Sequence, residues 1–275
     1  MTAEGMPPED APRSGPTPDD PPAADDAQHR AEPVSAGRRL ARGLRELVII
    51  VVLALIISAG VRAFIGQVFV IPSASMEDTV LVGDRVVAVK LVDIQRGDII
   101  VFRDPGGWLD MQAEPPTGMR KVAQFIGVLP DTSTNHLLKR VIGMPGDTIV
   151  CCDAQGRLSI NGYSLDESSY LRPGSDPATI PFKVVVPADR IFVLGDNRNA
   201  SRDSRCHLSD ISNNGQPQGM GAFVPLSDVV GPALLRVAPL DRVGTLKRPA
   251  VFDSVPVPTA PAPAKPVIEP VGVGC

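Results

Sequence analysis

Residues 47–61, LVIIVVLALIISAGV, carry no charge and almost no polar side chain, and this run limits what the chain can become more than any other feature. Fifteen helical residues span only about 22 Å against a hydrocarbon core of roughly 30 Å. A crossing helix must therefore continue past Arg62 to about Gly66, with the arginine head reaching to the interface. Two alternatives exist: a cleavable leader, for which Ser58-Ala59-Gly60 offers a small-x-small triplet, and a buried core helix. A leader starting 46 residues into the chain without a basic beginning is atypical, and a soluble helix usually keeps one polar face. The run is read as an uncleaved transmembrane helix over 47–66. Arg38, Arg39, Arg42 and Arg45 precede it with only Glu46 against them. The basic segment 38–46 should thus stay inside, placing the N-terminus in the cytoplasm and all that follows 66 outside.

The two ends differ from the middle. Of 29 prolines, eight fall in residues 1–34 and seven in 249–275. The first stretch also holds eight acids and two bases, so its charge is −6 within a total of −4. Neither end has the apolar periodicity that would offset ordering entropy. Residues 1–37 are read as a disordered acidic tail in the cytoplasm and 248–275 as a disordered C-terminal tail. The charge balance gives no reason to expect a nucleic-acid partner. Cys151, Cys152, Cys206 and Cys275 show neither CxxC spacing nor a histidine cluster, so no metal site and no cofactor are expected.

Between the tails, residues 67–247 break into short pieces: QVFVI, DRVVAVKLV, GDIIVF, HLLKRVIG, GDTIVC, PFKVVV, RIFVLG and GPALLRV. Each is rich in Val, Ile, Leu or Phe and bounded by Gly, Pro, Asp or Asn, the punctuation of antiparallel strands. The predicted fold class is an all-β domain of antiparallel sheets behind one N-terminal transmembrane helix. Residues 104–134 and 207–222 are predicted to be long loops.

The chain lacks GxSxG, HExxH, SxxK and GxxxxGK[ST], so the common hydrolase and P-loop signatures fail. His136 and His207 are the only histidines beyond the helix, and nothing marks a Ser-His-Asp triad. Three polar sites remain. Ile71-Pro72-Ser73-Ala74-Ser75-Met76 follows the helix closely enough that Ser75 must lie near the outer membrane face, though both serines could be ordinary turn residues. In HLLKRVIGMPGD, strand alternation sends Lys139 and Arg140 to opposite faces, so one of two adjacent bases should enter apolar surroundings. A lysine there would lose its proton and could act as a base near pH 7, whereas on an exposed edge it would be decoration. The third site, Gly195-Asp196-Asn197-Arg198-Asn199-Ala200-Ser201-Arg202-Asp203-Ser204-Arg205, could be a solvated loop, yet it is dense in groups that orient others.

Taken together and in this order, PSASM, KRVIGMPGD and GDNRNASRDSR behind an N-terminal anchor resemble the bacterial type I signal peptidases, membrane-bound Ser/Lys proteases. The resemblance spans roughly 45–240 and includes RGDIIVF at 96–102. It implies that Ser75 is the nucleophile and Lys139 its general base. It further implies that the Ser73 hydroxyl and the Ser75 backbone N–H form the oxyanion hole, and that Ser201 orients the lysine. Asp203 and Arg205 would be a structural ion pair. Ile71 and Pro72 would line the substrate surface, where a signal peptide adds as an extended strand. The implied activity is removal of signal peptides from exported preproteins at small-x-small sites through an acyl-enzyme. The implied partners are those preproteins, membrane lipid and the protein-export machinery.

The segment between the second and third motifs is short, so a reduced second subdomain is expected at about 150–190. Outside the membrane, a bridge from Cys151 or Cys152 to Cys206 is permitted but unassigned, and Cys275 is read as a free thiol. Two other readings remain at this point: a self-cleaving repressor-type Ser/Lys protease, and a single-pass envelope β-domain that only binds a partner.

Overall fold

The computed structural model describes residues 36–109, 117–125, 135–176, 180–211 and 215–269. Residues 1–35 of the acidic tail, including His29, and Cys275 lie outside the described residues. One helix, α1, runs Ala36–Phe64. It starts well before the apolar run, taking in the arginine cluster. At 1.5 Å per residue its 29 residues reach about 43 Å, enough to cross a membrane with the basic turns to spare. Leu47, Ile50, Ile56 and Ile57 are all exposed, as lipid-facing side chains would be.

Thirteen strands follow in chain order among the described residues: β1 (Gly66–Val70), β2 (Arg85–Val89), β3 (Ile99–Arg103), β4 (His136–Gly143), β5 (Thr148–Cys151), β6 (Ser159–Ile160), β7 (Tyr163–Ser164), β8 (Phe182–Val185), β9 (Arg190–Leu194), β10 (Val224–Pro225), β11 (Val229–Ala238), β12 (Gly244–Thr245) and β13 (Val267–Glu269). The larger sheet has the order β1-β2-β11-β3-β4-β9-β10, with β12 added to β11; the smaller is β13-β8-β5-β6-β7. Their pairings are antiparallel, as the alternating apolar pieces and turn residues predict. The short helix α2 (Gly118–Phe125) interrupts the 104–134 segment, which the loop reading did not foresee.

Strand β4 carries the site. It lies between β3 and β9, with Ile99 opposite Arg140 and Ile100 opposite Lys139. From Leu138 to Gly143 every residue of it is buried. Both faces are covered because separate apolar clusters form on the two sides: Phe69, Ile71, Met76, Ile99 and Leu138 in one, Ile100, Phe102, Trp108 and Val141 in the other. The edge-strand alternative for Lys139 and Arg140 is therefore excluded, and the forecast that only one of the two bases would be buried is too weak. Both are, at 3% and 1% exposure.

The smaller sheet takes four of its strands from residues 148–185 and its edge strand β13 from the C-terminal segment. Residues 248–269, read from composition as a disordered tail, are ordered. A 3-10 turn at Ala250–Ser254 seats Phe252 in the main core cluster beside Tyr170 and Phe192, and β13 pairs with β8. Proline-rich sequence needs no helical or strand periodicity to be held if its few apolar side chains and carbonyls find partners. Here Asn161 Nδ2 donates to Pro256 O at 2.8 Å and Ala188 N to Pro263 O at 2.8 Å. In the smaller sheet, the sulfurs of Cys151 and its neighbour Cys152 are bonded to each other, a pairing other than the bridge to Cys206 that the compartment permits.

Candidate active site

Ser75 sits in a single 3-10 turn, Ala74–Met76. Pro72 stiffens the approach to this turn, and Met76 anchors it by burying in the cluster under β1 and β2. The turn is also held from the polar loop after β9. Asn197 N donates to Ser75 O at 3.0 Å, and Asn197 Nδ2 donates to Ala74 O at 3.1 Å. Gly195 is what permits this approach: a Cβ there would lie 2.4 Å from Ser75 O and 2.3 Å from Ser201 Oγ, closer than non-bonded atoms can come.

Lys139 Nζ donates to Ser75 Oγ at 2.5 Å, in a buried contact. Burial pushes the Lys139 amine down from 10.5 to about 8, against the upward pull of Asp203 and Asp196 and with a further lowering from Arg205. A lysine so placed is neutral in a useful fraction of molecules near neutral pH, where a solvated one would be neutral in only about one in 10³. Ser73 is exposed, and its Oγ lies 3.3 Å from Ser75 Oγ. Ile71, buried, and Pro72, exposed, line a shallow cleft beside the turn together with Phe69, Val101, His136 and Leu138.

The third motif divides into supports. Arg205 donates from Nε and Nη2 to the two oxygens of Asp203, at 2.8 and 2.9 Å, so the expected ion pair is formed. Burial pushes the Asp203 carboxyl up, but Arg205 and the Gly195 N–H outweigh it and leave the group below its ordinary 3.8. Ser201 Oγ is buried and has no hydrogen-bond partner; the bond to the lysine that the resemblance implies is not made here.

Sequence reasoning missed the opposite side of β4. Arg140 donates from Nε and Nη2 to Asp196 at 2.8 and 2.6 Å, and from Nη1 to Gly97 O at 2.6 Å. Thr79 Oγ1 donates to the same carboxylate at 2.6 Å. The Arg140 guanidinium also lies over the Tyr170 ring, 4.4 Å from its centre. The two motifs that looked like separate strings also meet: Arg96 of RGDIIVF donates to Asp147 of MPGD at 2.5 and 2.7 Å. Adjacent bases followed by a distant Asp-Asn pair were the only signal for these contacts. As for a histidine triad, His207 Nδ1 lies 2.6 Å from Asp210 and its ring stacks on Trp108, while Lys139 occupies Ser75 Oγ.

A buried amine in hydrogen-bond contact with a serine hydroxyl, on an all-β scaffold with an apolar cleft alongside, is the arrangement that a hydrolase of the Ser/Lys type requires. A profile of the family described as "Signal peptidase, peptidase S26" matches residues 44–238. Signal peptidase I of Mycobacterium tuberculosis (strain ATCC 25618 / H37Rv) is 34% identical over 228 residues, 74% of this chain and 76% of that protein. Signal peptidase I of Leptolyngbya laminosa is 35% identical over 242 residues, 86% of this chain and 97% of that protein. A crystal structure of a signal peptidase I from Enterococcus faecalis V583 matches 51% of this chain and 97% of that one, at 25% identity and a TM-score of 0.30. The chain belongs to the peptidase S26 family of signal peptidases, which are serine endopeptidases.

Proposed function

We propose that this endopeptidase removes N-terminal signal peptides from exported preproteins, cutting after small-x-small sites. The contact that carries the reading is Lys139 Nζ to Ser75 Oγ at 2.5 Å, away from water. Neutral Lys139 takes the proton from Ser75 Oγ as that oxygen attacks the carbonyl carbon of the last signal-peptide residue. The C–O bond forms, and the carbonyl oxygen becomes an oxyanion held by the Ser73 hydroxyl and the Ser75 N–H. The lysine ammonium then gives its proton to the leaving amine as the C–N bond breaks, leaving an acyl-enzyme. Water, deprotonated by the again neutral lysine, releases the signal peptide and restores Ser75. Ser201 Oγ, without another partner, is the group available to orient the amine through these steps. The Asp203–Arg205 pair fixes the loop that carries it.

The substrate lies extended in the cleft of Phe69, Ile71, Pro72 and Leu138, where main-chain bonds supply affinity and shallow apolar walls admit small side chains. The helix anchors the enzyme in lipid with its arginine-rich start in the cytoplasm, so that the β-domain works outside, where the export machinery delivers its substrates. The deciding experiment incubates the purified full chain in detergent with a preprotein bearing an Ala-x-Ala site and reads the product mass. Cleavage after the second alanine that is lost in Ser75→Ala and in Lys139→Ala is expected. Full activity in either variant would overturn the mechanism. Protease added to vesicles of cytoplasmic-side-out orientation should spare the β-domain; its digestion would reverse the topology.

A further inference from the structure

The C-terminal strap reaches the back of the catalytic strand. Phe252 is buried in the core at 2% exposure, and it touches two of the three groups that hold Arg140. On one side its ring packs against Gly97, so closely that a Cβ at that glycine would lie 2.5 Å from Phe252 Cδ2. Gly97, at φ +90°, turns its carbonyl to accept from Arg140 Nη1 at 2.6 Å. On the other side the Phe252 ring stands 5.7 Å from the Tyr170 ring, tilted by 30°. Tyr170 lies under the Arg140 guanidinium, and its hydroxyl donates to Glu167 at 2.5 Å, which fixes the ring plane. The third holder, Asp196, is the carboxylate whose neighbours, Gly195 and Asn197, grip the Ser75 turn.

We propose that Phe252, with Tyr170, is a positioning element of the active site, wedging Arg140 onto Asp196 so that the Asp196 charge is neutralised and the Ser75 turn is held in register with Lys139. The strap that supplies Phe252 is tied down independently of the site. Arg248 donates to Arg96 O and to Asp253, and Leu246 N donates to Leu234 O at 2.8 Å. If the wedge is removed, the space left beside Gly97 and Tyr170 lets both relax, and Arg140 draws away from Asp196. The charged groups facing the Lys139 amine are Asp196 from the loop after β9 and Asp203 and Arg205 from the 3-10 turn beyond it, with Ser75 as its hydrogen-bond partner. An Asp196 less well neutralised acts more strongly on that amine and favours its protonated form.

This inference rests on Lys139 being the base of the reaction, and its test has a readout that does not depend on turnover. Full-length Phe252→Ala and Phe252→Leu would be compared with the unaltered enzyme in two measurements. One is the pH dependence of preprotein kcat/KM. The other is the pH titration of the Lys139 ε-carbon by NMR of lysine-labelled protein, assigned by its loss in Lys139→Arg. Phe252→Ala should lower kcat/KM at pH 7 by roughly tenfold. It should also move the acid limb and the ε-carbon midpoint together to higher pH, by about half a unit. Phe252→Leu, which refills most of the space, should restore both to near the unaltered values. Lys183→Ala, breaking only the exposed pair with Glu269, should change neither.

An unshifted midpoint in a folded Phe252→Ala overturns the positioning role while leaving the Ser75–Lys139 reading intact. If the midpoint shifts as expected but Lys139→Ala still cleaves, the wedge stands and the assignment of the base falls. Should Phe252→Ala fail to fold, Tyr170→Leu carries the test, with the midpoint expected to shift upward as for Phe252→Ala. A Tyr170→Leu enzyme with an unchanged midpoint is then the overturning result.

Discussion

Lys139 and Arg140 are neighbours on one strand, both buried, and their surroundings make opposite use of a positive charge. The Arg140 guanidinium is met by both oxygens of Asp196, the Gly97 carbonyl and the Tyr170 ring. Lys139 is met by a serine hydroxyl, and the nearby carboxylates act on it only from a distance. A fully paired buried charge is structural, whereas an under-compensated one tends to shed its proton. The fold thus places a rigid cation and a removable proton one residue apart by giving one side of β4 a carboxylate and the other a hydroxyl.

The contrast is most sharply tested by removing the unpaired amine. Lys139→Met should abolish cleavage, by about 10⁴-fold or more as for other members of such units, yet stabilise the protein below pH 8. The sign follows from the depressed value. Below about 8 the amine is protonated in both folded and unfolded chains, and the folded state bears the full cost of burying it. Between about 8 and 10.5 the folded amine is already neutral while the unfolded one is still charged, so stability of the unaltered enzyme should rise with pH through that window and level off above it. Denaturant midpoints measured from pH 6 to 11 check this, and an enzyme whose stability falls across the window contradicts the assignment. Cleavage itself should show an acid limb near pH 8.

Removing the paired carboxylate is the mirror experiment. Asp196→Ala leaves Arg140 buried without its partner and should cost about 3–5 kcal/mol, visible as a large drop in denaturant midpoint. A loss under about 1 kcal/mol would mean that the Arg140 side is as tolerant as a surface pair. The close approach that joins the two sides is probed by Gly195→Ala. Its methyl group collides with Ser75 O and Ser201 Oγ and should cost about 1–3 kcal/mol, with kcat falling more than KM changes. The smallest effect is expected at Ser73→Ala, which takes away one of the two proposed oxyanion donors and should lower kcat by roughly 10²-fold with stability unchanged, since that residue is exposed.

The strands, the apolar helix and the order of the three motifs were readable because periodicity and turn residues act over a few positions. Ser75 and Lys139 were readable as a pair only through resemblance, since 64 residues separate them and no spacing rule joins them. The Gly195 and Asp196 roles were not readable at all: a glycine is demanded by the oxygen atoms it faces, and the arginine that meets Asp196 lies 56 residues earlier. The proline-rich C-terminal segment misled for a related reason. Its composition resembles an unfolded tail, but Phe252 and β13 find a cavity and a sheet edge made entirely by other parts of the chain.

By itself, then, the sequence determined an apolar helix after a basic turn and a set of antiparallel strands, both consequences of local pattern, while the pairing of Ser75 with Lys139 came from resemblance to a family. Tertiary structure alone decided which of two adjacent bases would lose its partner, where the Ser75 turn would be gripped and whether the last residues would be ordered. Each of those depends on which distant groups share a dielectric and a packing contact, and chain order does not encode that by proximity.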